Sequence, residues 1–152
     1  MVRFVATMDK PKPVHLATVL RKRPVLKRFF QRQPVELVFL HGALAKDRMK
    51  ALSDVDVAVL FKDGKYSYEN ISKIILKLED IFKREDIDLG VLNRASPLFG
   101  MQVLKNGIVL YCRSPKALKN FRLRAIQRYL STAHLRTTFN RRVAEAVLRG
   151  SP

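Results

Sequence analysis

Two acids stand one residue apart in Ser53-Asp-Val-Asp56, at the mouth of the apolar run Val55–Phe61. A third, Asp88, stands at the start of another apolar run, residues 87–92. On a strand, residues i and i+2 point to the same face. Asp54 and Asp56 therefore project together, and Asp88 joins them if the two strands are neighbours. Three bare carboxylates repel one another and hold raised pKa values unless a cation neutralises them. Hard oxygen ligands around an open site suit Mg²⁺, which takes one or two carboxylates together with substrate phosphates. Asp-x-Asp also occurs where acids merely cap a turn. A third acid at a matching strand start favours the metal.

Gly42 lies eleven intervening residues ahead of Asp54, at the end of an earlier apolar run. A glycine there lets the backbone approach a phosphate closely, or simply relieves strain in a strand-to-helix turn. If residues 43–49 are helical, their first N–H groups favour an anion at the same mouth. Lys46, Arg48 and Lys50 add positive charge. Ser53 reads as a turn or cap residue beside the acids. His41 precedes the glycine and could face the site, although a lone histidine at a strand end is more often structural. His15 and His134 have no spacing to Cys112 that suggests zinc. Gly42, then Asp54-x-Asp56, then Asp88, is a far more specific set than any one part.

The elements that must position these residues alternate. Apolar spacing predicts helices over 14–23 and from Pro24 to about residue 33. Strands are expected at 35–40, 55–61, 87–92 and 108–111. Ser67 is a candidate cap for a helix to about Lys83, and Ser96-Pro97 for a short one. Ser114-Pro115 opens a long basic amphipathic region to about Leu148, with a break expected near Ser131-Thr132. The order predicts an α/β (α+β) domain: a mixed sheet of about four strands flanked by helices. Residues 1–13 read as an irregular lead-in and 14–149 as one domain that includes the helical region 114–149. The series Leu118, Phe121, Leu123, Ile126, Tyr129 and Leu130 has near-helical spacing. It is expected to pack on the sheet, and part of it could extend into a partner groove.

The chain has 152 residues and a formal charge of +17. Residues 3–32 carry nine Lys/Arg against Asp9 alone, and residues 113–149 carry ten against Glu145 alone. Such a surface attracts polyanions: nucleic acid, nucleotide phosphates or an acidic protein. A solvated basic face is the plainer account. A direct nucleic-acid binder is less favoured, because no helix-turn-helix or aromatic stacking pattern accompanies the charge. The single Cys112 excludes an internal disulfide and fits a cytoplasmic location. No apolar stretch approaches the ~18 residues that a membrane span needs, and residues 1–13 lack a signal-peptide core.

The constellation resembles the nucleotidyltransferase superfamily related to DNA polymerase beta, whose motif is Gly-Ser, a spacer, Asp-x-Asp and a later Asp. More narrowly, the chain resembles the minimal nucleotidyltransferase (MNT) antitoxins, partners of HEPN toxins. That likeness is carried by Asp88-Leu-Gly-Val-Leu-Asn-Arg-Ala-Ser-Pro-Leu, by Val103-Leu-Lys-Asn-Gly-Ile-Val-Leu-Tyr-Cys-Arg-Ser and by the helix around Phe121, Tyr129 and Leu130. It implies a Mg²⁺-dependent enzyme that transfers AMP from ATP to a tyrosine of a HEPN ribonuclease and so silences it. By the same likeness Asp54, Asp56 and Asp88 hold the metal, and Asp88 helps to deprotonate the tyrosine. Gly42, Ala43, Lys46 and Ser53 line the nucleotide. The chain departs from the family at Gly42-Ala43, where the family has Gly-Ser, and at Ala45-Lys46-Asp47, where Asp47 would stand beside the phosphate path. The departures imply weakened transfer or, alternatively, a non-catalytic antitoxin that neutralises its toxin by binding alone.

Overall fold

The computed structural model describes residues 14–48 and 54–150. The expected lead-in over residues 1–13, and residues 49–53 with Lys50 and Ser53 among them, lie outside the described residues. Two short helices, α1 (Leu16–Arg21) and α2 (Arg23–Gln31), meet at Lys22. α1 is shorter than residues 14–23 because His15 forms its start and Lys22 its end. Four strands follow, β1 (Val35–His41), β2 (Val55–Phe61), β3 (Ile87–Val91) and β4 (Ile108–Cys112). Between them lie α3 (Gly42–Ala45), α4 (Tyr68–Phe82), a single 3-10 turn at Leu92–Arg94 and α5 (Pro97–Asn106). α6 (Pro115–Ser131) and α7 (Ala133–Arg149) close the chain, parted at Thr132 as expected. Ser67, Ser96 and Ser114 each cap the following helix, accepting from Asn70, Phe99 and Ala117 N–H at 3.2, 3.1 and 3.1 Å.

The sheet order is β3-β2-β1-β4. β1 runs antiparallel to both β2 and β4, and β2 runs parallel to β3. The sheet is thus mixed, and helices cover both faces. On one face Val19, Leu26, Phe30, Ile74 and Leu78, from α1, α2 and α4, pack on Val57, Val59 and Phe61. On the other, Val103 of α5 and Phe121 and Ala125 of α6 pack on Leu37, Phe39, Ala58 and Leu60. Each fully buried Leu or Phe contributes roughly 1.5–3 kcal/mol. The alternation of β2 is therefore strict: odd residues face α4 and even residues face α5 and α6. β1 shifts register between Val35 and Leu37, which turns Leu37, Phe39 and His41 toward the α5 side.

Where β3 has ended, a side chain extends the pairing of β2. Asn93 Oδ1 accepts from Phe61 N–H at 2.9 Å, and Asn93 Nδ2 donates to Phe61 O at 3.0 Å. Asn93→Ala leaves both backbone groups without that partner in a part-buried place. We expect a loss of about 1–3 kcal/mol, read as a lower urea midpoint with an unchanged slope. An unchanged midpoint would show that water replaces both bonds.

Candidate functional site

Strand register assembles one row of titratable side chains. His41 of β1 is paired with Asp56 of β2, and Asp56 with Asp88 of β3. Neighbouring strands lie about 4.8 Å apart, so the three sit side by side. All three belong to the α5 face. Asp56 is an even residue of β2. Ile87, Leu89 and Val91 pack on the opposite core, which turns Asp88 outward from it. His41 places its ring against Phe99 of α5, with centroids 5.4 Å apart. Phe99 also lies over Gly90, where an added Cβ would meet the ring at 3.0 Å. An aromatic wall therefore closes one side of the row. Asp54 stands exposed just ahead of β2. None of Asp54, Asp56 and Asp88 forms an ion pair among the described residues.

Burial pushes the Asp56 carboxyl above its ordinary range; the His41 charge opposes this, and the Asp88 and Asp54 charges add to it. Burial likewise lowers His41, against the pull of Asp56 and Asp88. A carboxylate raised by burial and by neighbouring acids is one that a cation would stabilise. Among the described residues no three His, Cys, Asp or Glu side chains form a ready-made metal cluster. The donor set still fits Mg²⁺ of the kind held by one or two carboxylates, its shell completed by water and substrate phosphates.

Gly42 has a specific duty in this arrangement. Its φ is +69°, and an added Cβ would fall 2.1 Å from Asp56 Oδ2. The space that a side chain would fill is the seat of the Asp56 carboxylate. Of the short loop read after Gly42, only Gly42–Ala45 is helical: α3 stops at Ala45, and Asp47 takes a left-handed φ of 52°. Asp47 Oδ1 accepts from Leu16 N–H at 3.3 Å, so its carboxylate caps the start of α1. Ala43 lies within α3, next to Gly42, and Lys46 is exposed at its end. Behind β3, buried Arg84 bonds Asp86 through Nε at 2.6 Å, and Asp86 O accepts from Val55 N–H at 3.0 Å. That link ties the start of β2 to the approach to β3. A separate cleft of about 440 Å³ opens between α5 and α6 at the other end of β2, beside Phe61 and Asn93, and holds none of these acids.

The sequence leaves His41 as more commonly structural than part of the site, and it does not point to Phe99 at all. The signal for His41 was its place directly before Gly42, which the antiparallel pairing of β1 with β2 sets opposite Asp56. Phe99 carries no sequence signal: its role follows from the packing of its ring over Gly90 and against His41.

A row of acids across β2 and β3, reached by a glycine turn from β1, is a nucleotidyltransferase arrangement. Residues 25–116 match the polymerase beta nucleotidyltransferase family, and the chain belongs to that family. No curated protein matches it. Several solved structures share its fold. A mutant of the toxin–antitoxin pair MntA–HpeT superposes with a TM-score of 0.69 at 20% identity, covering 80% of this chain and 98% of the matched one. A toxin–antitoxin structure with AMP-PNP gives 0.66 at 21%, covering 86% and 99%. A complex of tri-AMPylated Shewanella oneidensis HEPN toxin with MNT antitoxin gives 0.64 at 22%, covering 85% and 98%. No described helix is long and apolar enough to cross a membrane.

Proposed function

We propose that this chain is an antitoxin of the MNT kind, a protein adenylyltransferase that transfers AMP from ATP to a tyrosine hydroxyl of a HEPN ribonuclease toxin. The observation that carries the reading is the pairing of Asp56 with Asp88 in adjacent strands, in a chain of the polymerase beta nucleotidyltransferase family. The solved complexes with AMP-PNP and with a tri-AMPylated toxin support the choice of nucleotide and acceptor. Asp54, Asp56 and Asp88 are the residues that would hold Mg²⁺, which when bound neutralises phosphate charge and the developing charge on attacking and leaving oxygens. Asp88, the more exposed of the paired acids, accepts the acceptor's hydroxyl proton. The hydroxyl oxygen then bonds to the α-phosphorus, and the bond from that phosphorus to the bridging oxygen breaks, releasing pyrophosphate. Gly42, Ala43, Lys46 and Ser53 are assigned to the triphosphate. The cytoplasm is the expected compartment.

The alternative is a binding-only antitoxin, and Ala43 is the observation that favours it. It supplies no side-chain donor where the family has a serine. Intact mass of a co-expressed HEPN toxin, with Mg-ATP present, separates the two. An added AMP mass that Asp56→Asn removes supports transfer. A tight complex with no added mass leaves inhibition by binding alone. Ala43→Ser is expected to raise the transfer rate by about tenfold or more, since one well-placed donor is worth about 10²–10³ in a catalytic site. An unchanged rate would show that backbone N–H groups already fill the serine's place.

A further inference from the structure

The 17-residue α7 buries none of its residues. An isolated helix near that length is marginal in water, so a stable α7 calls for apolar burial that the described chain does not supply. Leu135, Phe139 and Val143 recur every four residues and are 58%, 67% and 45% exposed. Residues four apart share one helix face, so they form a stripe. α6 adds exposed Leu123, Ile126 and Leu130, on a different side from Phe121 and Ala125, which pack on the sheet. Polar contacts fix the joint between the two helices. The Arg136 guanidinium stacks over Tyr129 at 3.7 Å and donates to Tyr129 O and Thr132 Oγ1. Single exposed apolar residues are ordinary, but six on two consecutive helices mark an interaction surface.

Charge selects the occupant. Residues 115–149 carry nine Lys/Arg against Glu145 alone, on a chain of formal charge +17. A second copy would bring the same positive charge to the face, and like charges across an interface oppose association. An apolar ridge flanked by carboxylates satisfies both the stripe and the charge. We propose that the α6–α7 stripe docks an acidic protein partner through an amphipathic helix whose apolar side is bordered by Asp and Glu. The face uses no residue of the acid row and needs no nucleotide, so it stands or falls apart from AMP transfer.

The test uses the full chain and two synthetic helical peptides with identical Leu stripes, one flanked by Glu and the other by Lys. Sedimentation gives the state of the chain alone, and fluorescence anisotropy at physiological salt gives peptide binding. We expect a monomer that binds the Glu peptide and not the Lys peptide. Phe139→Ser with Val143→Ser, which leaves the charge unchanged, should weaken that binding by about tenfold or more, with the helical dichroism retained. A chain that dimerises alone, and that Phe139→Ser dissociates, would make the face a self-interface and overturn the proposal. Tighter binding to phosphatidylserine–phosphatidylcholine vesicles than to the Glu peptide would overturn it in favour of a membrane surface. Glu-peptide affinity unmoved by the double variant would overturn it as charge attraction alone.

Discussion

Asp56→Asn should lower AMP transfer by roughly 10³-fold or more while leaving the fold at least as stable as before. The two halves of that result have one cause. The Asp56 carboxyl sits between His41 and Asp88 in the strand register, and burial raises its pKa. A raised folded-state pKa means that the folded chain binds the proton more tightly than the unfolded chain. The stabilising effect is therefore complete below the ordinary Asp value and is lost as pH rises through the folded value. At neutral pH, without metal, the ionised carboxylate works against folding. Asn is neutral at every pH and removes that penalty, so its Tm in metal-free buffer should equal or exceed that of the unchanged chain. Mg²⁺ should then raise the Tm of the unchanged chain by mass action and leave the Asn variant where it was. A variant that keeps transfer, or that gains the same Tm from Mg²⁺, would remove Asp56 from the metal site.

Much of this fold was legible in the sequence. The four apolar runs became the four strands, and Ser67, Ser96 and Ser114 became caps. These signals are local, because period and capping chemistry act within a few residues. The placing of Asp54, Asp56 and Asp88 near one another was also foreseeable, since all three sit at strand starts. What escaped was set by pairing across the sheet. His41 enters the row only through the register of β1 on β2, and one shifted residue would have turned it to the other face. Asp47 reads from the family likeness as a charge beside the phosphate path, and no local signal points to its contact with α1. Its left-handed backbone ends the turn early and sends the carboxylate to the start of α1. Arg84 gave no sign of burial, because long charged residues rarely go inside unless paired, and its partner Asp86 lies only two residues away.

Gly42→Ala should abolish transfer nearly as fully as Asp56→Asn but, unlike that variant, at a modest cost in stability, because its two effects fall on different atoms. The backbone cost comes from φ +69°, a left-handed conformation that disfavours a side chain by about 1–2 kcal/mol. The functional cost comes from the methyl group, which would lie 2.1 Å from Asp56 Oδ2 and 2.9 Å from its Cγ. The carboxylate is the far end of a side chain and can swing away, so the fold survives while the acid leaves its place beside Asp88. Gly64 provides the matched control. Its φ is +68°, and nothing lies within 4 Å of an added Cβ. Gly64→Ala should therefore show the same backbone loss in a urea titration and keep full transfer. If the two alanine variants lose equal stability and only Gly42→Ala loses transfer, the glycine serves to seat the Asp56 carboxylate. If Gly42→Ala transfers AMP at the unchanged rate, the carboxylate does its chemistry from another position and the strand row is not the reacting geometry.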